Sequence, residues 1–288
     1  MPPFYHLISL YLALKFLKVC SSPYLTRRTA NFKEATFYNL QYAAKLSSAA
    51  YRSCNGNAFD VTITKHINDI ATDTQGYIGY SIDRKTISLV FRGSSLVIID
   101  LLNDFDTTTV TPDIPGVDFP IGTRIMEGIH RPWLAVHGEV VSEIQSLLAQ
   151  FLEYSLELTG HSLGGSLIYL AYIVLQQIFP GNITGYALAA FPIGNQEFAD
   201  FGAIQRGDMF RRNSKGDGTP NMYSGEPWSF KHYGIEYYSD GSREGTIQCH
   251  GNRDQDCSAG NGLHIATLAH FNSFGIDIDI LDLNSECH

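Results

Sequence analysis

Five residues near the middle of the chain, Gly160-His161-Ser162-Leu163-Gly164, fit the pattern G-x-S-x-G, in which a serine occupies a strained turn between a strand and a helix. Such a turn needs glycines two residues to either side, because a side chain there would strike the neighbouring strand or helix. It would hold the Ser162 hydroxyl in the open at a helix N-terminus, where the dipole and free backbone N–H groups favour developing negative charge. The chemistry is acyl transfer through a covalent serine. The bare pattern also arises by chance in ordinary glycine-rich loops, so its meaning depends on what flanks it.

Acyl transfer also needs donors aimed at the tetrahedral oxyanion. The N–H of Leu163, just after the nucleophile, is one natural donor. A second should come from a loop at the end of a neighbouring strand, and SLVFRGSS supplies it: Arg92-Gly93 closes the strand, and Ser94 offers both N–H and hydroxyl.

The elements that would position these groups alternate as a βαβ sheet requires. Residues 34–52 read as an amphipathic helix. Residues 77–82 and 88–91, joined around Asp83-Arg84-Lys85, read as a strand hairpin running into Arg92-Gly93. From Pro132 to Phe151, Val136, Val140, Ile144, Leu147, Leu148 and Phe151 recur at helical spacing, as in a helix packed on a sheet. Leu156–Thr159 reads as a short strand, SLIYLAYIVLQQIF as a helix apolar nearly all round, and Gly185–Phe191 as a buried strand, with a parallel crossover expected between the two. This context of apolar strand, turn and apolar helix favours the catalytic reading of Ser162.

The chain has 288 residues, 44% hydrophobic, 12% aromatic and 17% charged, with a formal net charge of −9. That composition suits one globular domain. Its acidity argues against nucleic acid, which needs a basic face, and points to a neutral or apolar partner. A short apolar run, Leu7 to Leu17, precedes Val19-Cys20-Ser21, whose small residues resemble a signal-peptidase site. The expected division is a signal at 1–21, a short extension at 22–33 and a single domain over 34–288. An uncleaved membrane-associated segment or an amphipathic first helix is the alternative for the apolar run, since Lys15 interrupts it and no basic residue precedes it. Without residues 1–21 the chain has 18 basic against 29 acidic residues, a net −11.

Outside that segment four cysteines remain. Cys249 and Cys257 enclose a polar loop suited to a local disulfide, which leaves Cys54 to meet Cys287 across a long loop. A zinc site is the rival reading, but no CxxC pair is present. Asn182-Ile183-Thr184 is a glycosylation sequon if the chain is secreted, and Arg27-Arg28 a dibasic pair that reads equally as solvated surface.

VFRGSS followed by TGHSLGG resembles the fungal and yeast secreted lipases of class 3, the Rhizomucor type, and the likeness extends from about residue 36 to the C-terminus through AAFPIGN and QDCSAGN. The resemblance implies an α/β-hydrolase fold, with a mostly parallel central sheet flanked by helices and a helical lid. It implies a Ser-Asp-His triad in which Ser162 is the nucleophile and Ser94 the oxyanion hydroxyl. The family's acid lies in a D-x-V-P segment, matched by Asp217-Gly218-Thr219-Pro220 with Thr for Val, and its histidine is matched by His270 before Phe271-Asn272-Ser273-Phe274-Gly275. The Ser-Asp-His order requires a base downstream of the acid. His264, six residues before His270, is the serious rival, with His232, His250 and His288 less suited; Asp200, Asp208 and Asp240 are the other acids considered. His161 reads as framework of the elbow.

Two departures from the family stand out. The aspartate that anchors the oxyanion residue after the lid is represented by Asn103 at the expected spacing and Asp104 one position on. Met126-Glu127-Gly128-Ile129-His130 stands where H-x-G-F is common.

The segment SLVIIDLLND, residues 95–104, carries six large aliphatic residues and two acids. Between an oxyanion strand and a Thr/Pro-rich loop it reads as a mobile cover, with a lid over about 95–115, rather than a core helix. Such a cover can turn its aliphatic face to an oil-water interface, which makes a lipid ester the expected substrate. No cofactor or metal is required. The expected protein is a secreted, monomeric triacylglycerol lipase, free in the medium or held at the cell wall, with no stable membrane span. A mono- or diacylglycerol lipase, a phospholipase and a feruloyl-type esterase are alternatives in the same class; an inactive lipid-binding relative and a membrane-anchored interaction protein are alternatives outside it.

Overall fold

The computed structural model describes residues 34–52, 54–94, 105–273, 276–277 and 287. The expected signal and extension, the stretch 95–104 with Asn103 and Asp104, and His288 lie outside the described residues.

Nine strands form one sheet: β1 (Asn57–Ala58), β2 (Val61–Asp69), β3 (Thr74–Ser81), β4 (Thr86–Phe91), β7 (Ser155–His161), β8 (Ile183–Leu188), β9 (Asp208–Ser214), β10 (Ile235–Ser239) and β11 (Ile247–Gln248), in that spatial order. β5 (Thr109–Val110) and β6 (Ile125–Met126) form a separate ladder, as do β12 (Asn272–Ser273) and β13 (Ile276–Asp277). From β1 to β4 the pairing is antiparallel; β4, β7, β8, β9 and β10 run parallel. The expected hairpin is therefore real but longer, and it is preceded by β2, which sequence reasoning did not assign. Lys65, Asn68 and Asp69 break up the apolar character of β2, because it lies next to the sheet edge and is partly solvated.

Alternate residues of the central strands enter different cores, as the two-residue period of a strand requires. Tyr77, Val90, Tyr186 and Leu188 meet α1 (Glu34–Ala49), whereas Ile78, Leu89, Phe91 and Ala187 meet α2 (Glu127–Gln150) and α3 (Leu163–Ile178). Helices thus cover both faces. In α3 every residue from Gly164 to Gln176 is buried, since the helix lies between the sheet, α2 and α4 (Gln196–Ala203). Each large aliphatic side chain buried there contributes roughly 1.5–3 kcal/mol.

Two boundaries differ from the sequence reading in ways that matter for the site. α1 ends at Ala49, not Arg52: Tyr51 and Arg52 donate to Ser48 and Ala49, three residues back, so the last turn tightens. α2 begins five residues before Pro132 and tolerates that proline near its start. Its first N–H groups are satisfied from outside the helix, Glu127 donating to Thr108 (2.8 Å) and Gly128 to Asp106 (3.0 Å).

Candidate active site

Ser162 stands between β7 and α3 with φ 58° and ψ −124°, a region an L-residue enters at a cost of order 1–3 kcal/mol. The surroundings hold it there. Its N–H donates to Leu188 of β8 (2.9 Å) and its carbonyl accepts from Ser166 (3.0 Å). A Cβ on Gly160 would sit 2.5 Å from the Gly164 oxygen, and one on Gly164 would strike the Phe91 oxygen and lie 2.7 Å from that of Arg92. Backbone passes backbone here, so only glycine fits.

The oxyanion strand ends against this turn. A Cβ on Gly93 would lie 2.6 Å from the His161 oxygen and 3.1 Å from the Ser162 Cβ, which sets Ser94 beside Ser162. Leu163 opens α3, so its N–H is one of the free donors at a helix start.

Asp217 follows β9 by three residues and is fully buried. One carboxylate oxygen accepts from the Thr219 N–H (3.0 Å), and the other lies 3.0 Å from His270 Nδ1. His270, also fully buried, occupies a 3₁₀ turn, Leu268–Phe271, whose cap is Thr267. The Thr267 hydroxyl donates to the Gly216 carbonyl (2.9 Å), and Asn261 donates to the Asp217 carbonyl (2.7 Å). The first bond ties the loop bearing Asp217 to the turn bearing His270, and the second braces that loop from the separate 3₁₀ turn Ser258–Asn261. Because the carboxylate can only accept, His270 Nδ1 carries a proton, and in the neutral ring this tautomer places the lone pair on Nε2.

Ser162 Oγ, His270 Nε2 and Ser94 Oγ are all buried and make no hydrogen bond among the described residues. Buried polar atoms normally find partners. Ser94 follows Gly93, which packs on Ser162, and the His270 ring lies 4.5 Å from that of His161, the residue before Ser162, so these atoms suit groups that arrive with a substrate. Nearby, burial pushes the Arg212 guanidinium down to about 9, against the opposing pull of Asp217.

The structure pairs Asp217 with His270 and not with His264, which is exposed and donates from Nδ1 to the Asn221 carbonyl (2.9 Å). His232 is a core residue between Tyr169 and the Pro220 carbonyl. His250 is exposed in the Cys249–Cys257 loop. His161 does more than frame the elbow. Its Nε2 lies 2.8 Å from the His270 carbonyl and its Nδ1 2.9 Å from the Tyr51 hydroxyl. A carbonyl only accepts, so Nε2 carries the hydrogen, Nδ1 accepts, and Tyr51 donates to it. Burial, reinforced by His270, holds the His161 pKa well below its ordinary value and keeps the ring neutral. The Tyr51 oxygen in turn takes the Gly93 backbone N–H. One chain of hydrogen bonds therefore joins the oxyanion strand, the elbow and the backbone of the base. Sequence reasoning missed Tyr51, which carries no motif.

Of the segment read as a lid, residues 105–115 are bound to the body. Phe105 packs edge-on against Phe191 at 5.5 Å, Thr109–Val110 pairs with Ile125–Met126, and the Asp113 N–H meets His130, whose other nitrogen lies 3.1 Å from Glu127. This ladder is what the altered Met126–His130 segment builds. Both expected disulfides are present, Cys54–Cys287 and Cys249–Cys257. The zinc reading fails on them: Glu236, Cys249 and Cys257 cluster at metal-ligand spacing, but both sulfurs are spent in the disulfide.

The sequence model of class 3 lipases matches residues 88–225, which include the oxyanion strand, the elbow and Asp217. A secreted alkaline triacylglycerol lipase of Penicillium cyclopium is 51% identical over 257 residues, 89% of this chain and 90% of that one. The chain belongs to the class 3 lipase family. The crystal structure of a triacylglycerol lipase from Penicillium expansum superimposes with a TM-score of 0.84 at 50% identity, covering 87% of this chain and 96% of that one. A solved triacylglycerol lipase whose catalytic centre is described as a serine protease triad gives 0.74 at 26% identity, covering 86% and 97%. The fold is that of the α/β-hydrolases, and this lipase is a carboxylic ester hydrolase. Ser162 and Asp217 both follow parallel strands at their C-terminal ends, where such sheets present their chemistry. No helix among the described residues is long and apolar enough to cross a membrane.

Proposed function

We propose that the chain is a secreted lipase that cleaves the carboxylic esters of triacylglycerols by two-step acyl transfer. The observation that carries the reading is the buried Asp217–His270 pair, whose histidine ring packs against His161, the residue before the strained Ser162. His270 takes the Ser162 proton as Oγ attacks the ester carbonyl, and the Ser94 hydroxyl and Leu163 N–H hold the oxyanion. The alcohol leaves with the proton from His270. Water then repeats the sequence on the acyl-enzyme and releases the fatty acid.

Lipid as substrate is supported by a cavity of about 510 Å³ lined by Phe105, Met222, Tyr223 and Trp228, and by the aliphatic run 95–104 that leads to it in sequence. Asn103 or Asp104 serves as the anchor of Ser94 in this reading. The enzyme acts outside the cell as a monomer at an oil-water interface, through one domain over 34–288; fractionation of culture medium and walls distinguishes free from wall-held enzyme.

Purified protein and Ser162→Ala, each given emulsified long-chain triglyceride and a soluble short-chain ester, test the proposal. Wild type should cleave the emulsion faster than the soluble ester, with the variant silent on both. Cleavage of the soluble ester alone would make it an esterase, and a preference for partial glycerides or phospholipid would move the substrate accordingly. No difference between wild type and variant would sink the enzyme reading.

A further inference from the structure

A second cavity, of about 520 Å³, opens at the other end of the molecule. Its walls are the C-terminal ends of α2 and α3 and the starts of β7 and β8, with Leu148, Leu152, Tyr154, Phe179 and Ile183 supplying apolar surface. Six residues of extended β7, roughly 20 Å, separate Leu156 in its wall from Ser162, so it is no part of the ester site. Leu152 is 85% exposed at its edge. Gln145 and Asn182 add polar groups to these walls, so an occupant with both apolar and hydrogen-bonding faces suits the opening.

One lining residue is Asn182, which heads the sequon Asn182-Ile183-Thr184. Chain geometry presents its amide outward. Ile183 is buried as β8 begins, and alternation turns Asn182 to solvent, where it is exposed. The turn before it is braced: Gln176 donates to the Gly181 carbonyl (2.8 Å), and Arg206 to the carbonyls of Gln176 (2.9 Å) and Phe179 (3.2 Å). Thr184 lies within β8, paired with Glu157 and Asp208, so modification must precede closure of the sheet, as it does when sugar is transferred to a chain entering the secretory lumen.

We propose that Asn182 carries an N-linked glycan whose first sugars seat in this cavity and cover its apolar wall, an inference that rests on the secretion reading above. In the transfer, the Asn182 amide nitrogen bonds to the anomeric carbon of a lipid-linked oligosaccharide diphosphate. The anomeric C–O bond breaks, the lipid diphosphate leaves, and one amide proton is released. The sugar's C–H face is apolar and flat enough to lie on Tyr154 and Phe179, while its hydroxyls face water. Because the cavity lies at the end of the sheet away from the triad, the glycan leaves the ester site open.

The full chain, expressed with its own N-terminal segment in a secreting yeast, tests this. Medium and cells are analysed separately by peptide mass after amidase release of N-glycans in heavy-oxygen water. The expected result is secreted protein in which residue 182 is converted to labelled Asp, with no conversion in Thr184→Ala. Removing the glycan, or Asn182→Gln, should raise the fluorescence of an apolar dye at least twofold, a rise lost when Leu152→Ser and Phe179→Ser are added. Hydrolysis of soluble ester should stay within twofold throughout. Secreted protein with bare Asn182 overturns this proposal alone; cell-retained protein with bare Asn182 overturns the secretion reading as well. A glycan whose removal leaves dye binding unchanged overturns its seating in the cavity.

Discussion

Replacing Tyr51 with phenylalanine deletes one oxygen and leaves the ring in place. In the native protein that oxygen donates to His161 Nδ1 at 2.9 Å and takes the Gly93 N–H, while His161 is fully buried. His161 cannot compensate by changing tautomer, because its Nε2 hydrogen is committed to the His270 carbonyl at 2.8 Å. The substitution therefore strands a buried acceptor, at a cost of about 1–3 kcal/mol. For a chain of this size each kcal/mol lowers Tm by about 2–4 °C, so Tyr51→Phe should melt about 2–12 °C below wild type. Urea unfolding should show a lower midpoint with an unchanged m-value. Triad contacts are untouched, so activity on soluble ester at low temperature should fall less than about tenfold, which is roughly 1.4 kcal/mol in the barrier. A midpoint equal to that of wild type would refute the hydrogen-bond assignment and, with it, the coupling of the oxyanion strand to the backbone of the base.

Three further perturbations follow from the same geometry. Asp217→Asn can donate to His270 Nδ1 and so favours the wrong tautomer at Nε2; initial-rate assays should show kcat reduced roughly 10⁴-fold with the fold intact by circular dichroism, as expected when a triad histidine is turned round. Removing Cys54–Cys287, which closes a separation of 233 residues, should cost more stability than removing Cys249–Cys257, which closes 8: chain entropy gives about 5 against about 3 kcal/mol, and denaturant midpoints of the paired Cys→Ser variants give the order directly. His161 and His232 are both held neutral, first by burial and then by neighbouring groups, His270 and the Arg212 guanidinium for one and the Arg211 and Arg253 guanidiniums for the other. Their folded pKa values lie below the unfolded value of about 6.5, so below that pH unfolding takes up protons that the native state refuses. Stability should fall with decreasing pH by about 1.4 kcal/mol per pH unit per histidine; urea midpoints that stay flat from pH 7 to pH 5 would contradict neutral buried rings.

How much of this was legible beforehand depended on whether each requirement left a mark in residue type. The elbow did, since backbone crossing backbone at Gly160 and Gly164 leaves glycine as the fitting residue, and the all-round apolar α3 announced its place between layers. Cysteine parity sufficed for both disulfides. β2 left no clear mark because a solvated strand near the edge mixes lysine, asparagine and aspartate with its apolar residues. Pro132 suggested a helix start, whereas the true start is fixed by hydrogen bonds that Glu127 and Gly128 donate to the carbonyls of Thr108 and Asp106, which no local pattern encodes. Sequence could rank His270 above His264 by resemblance; only the fold shows one facing Asp217 and the other out at the surface. Tyr51 was invisible, because its role depends on the helix end tightening by one turn to bring its hydroxyl onto a histidine 110 residues away.

The central claim is that Ser162 forms the acyl-enzyme with His270 as its base. It is tested most directly by trapping the serine with a long-chain alkyl phosphonate ester and reading the intact mass and the modified peptide. The account predicts one adduct per chain, located on Ser162, formed concurrently with loss of ester hydrolysis and slowed by at least three orders of magnitude in His270→Ala. An adduct on another residue, or full hydrolytic activity in protein whose Ser162 is blocked, would contradict it.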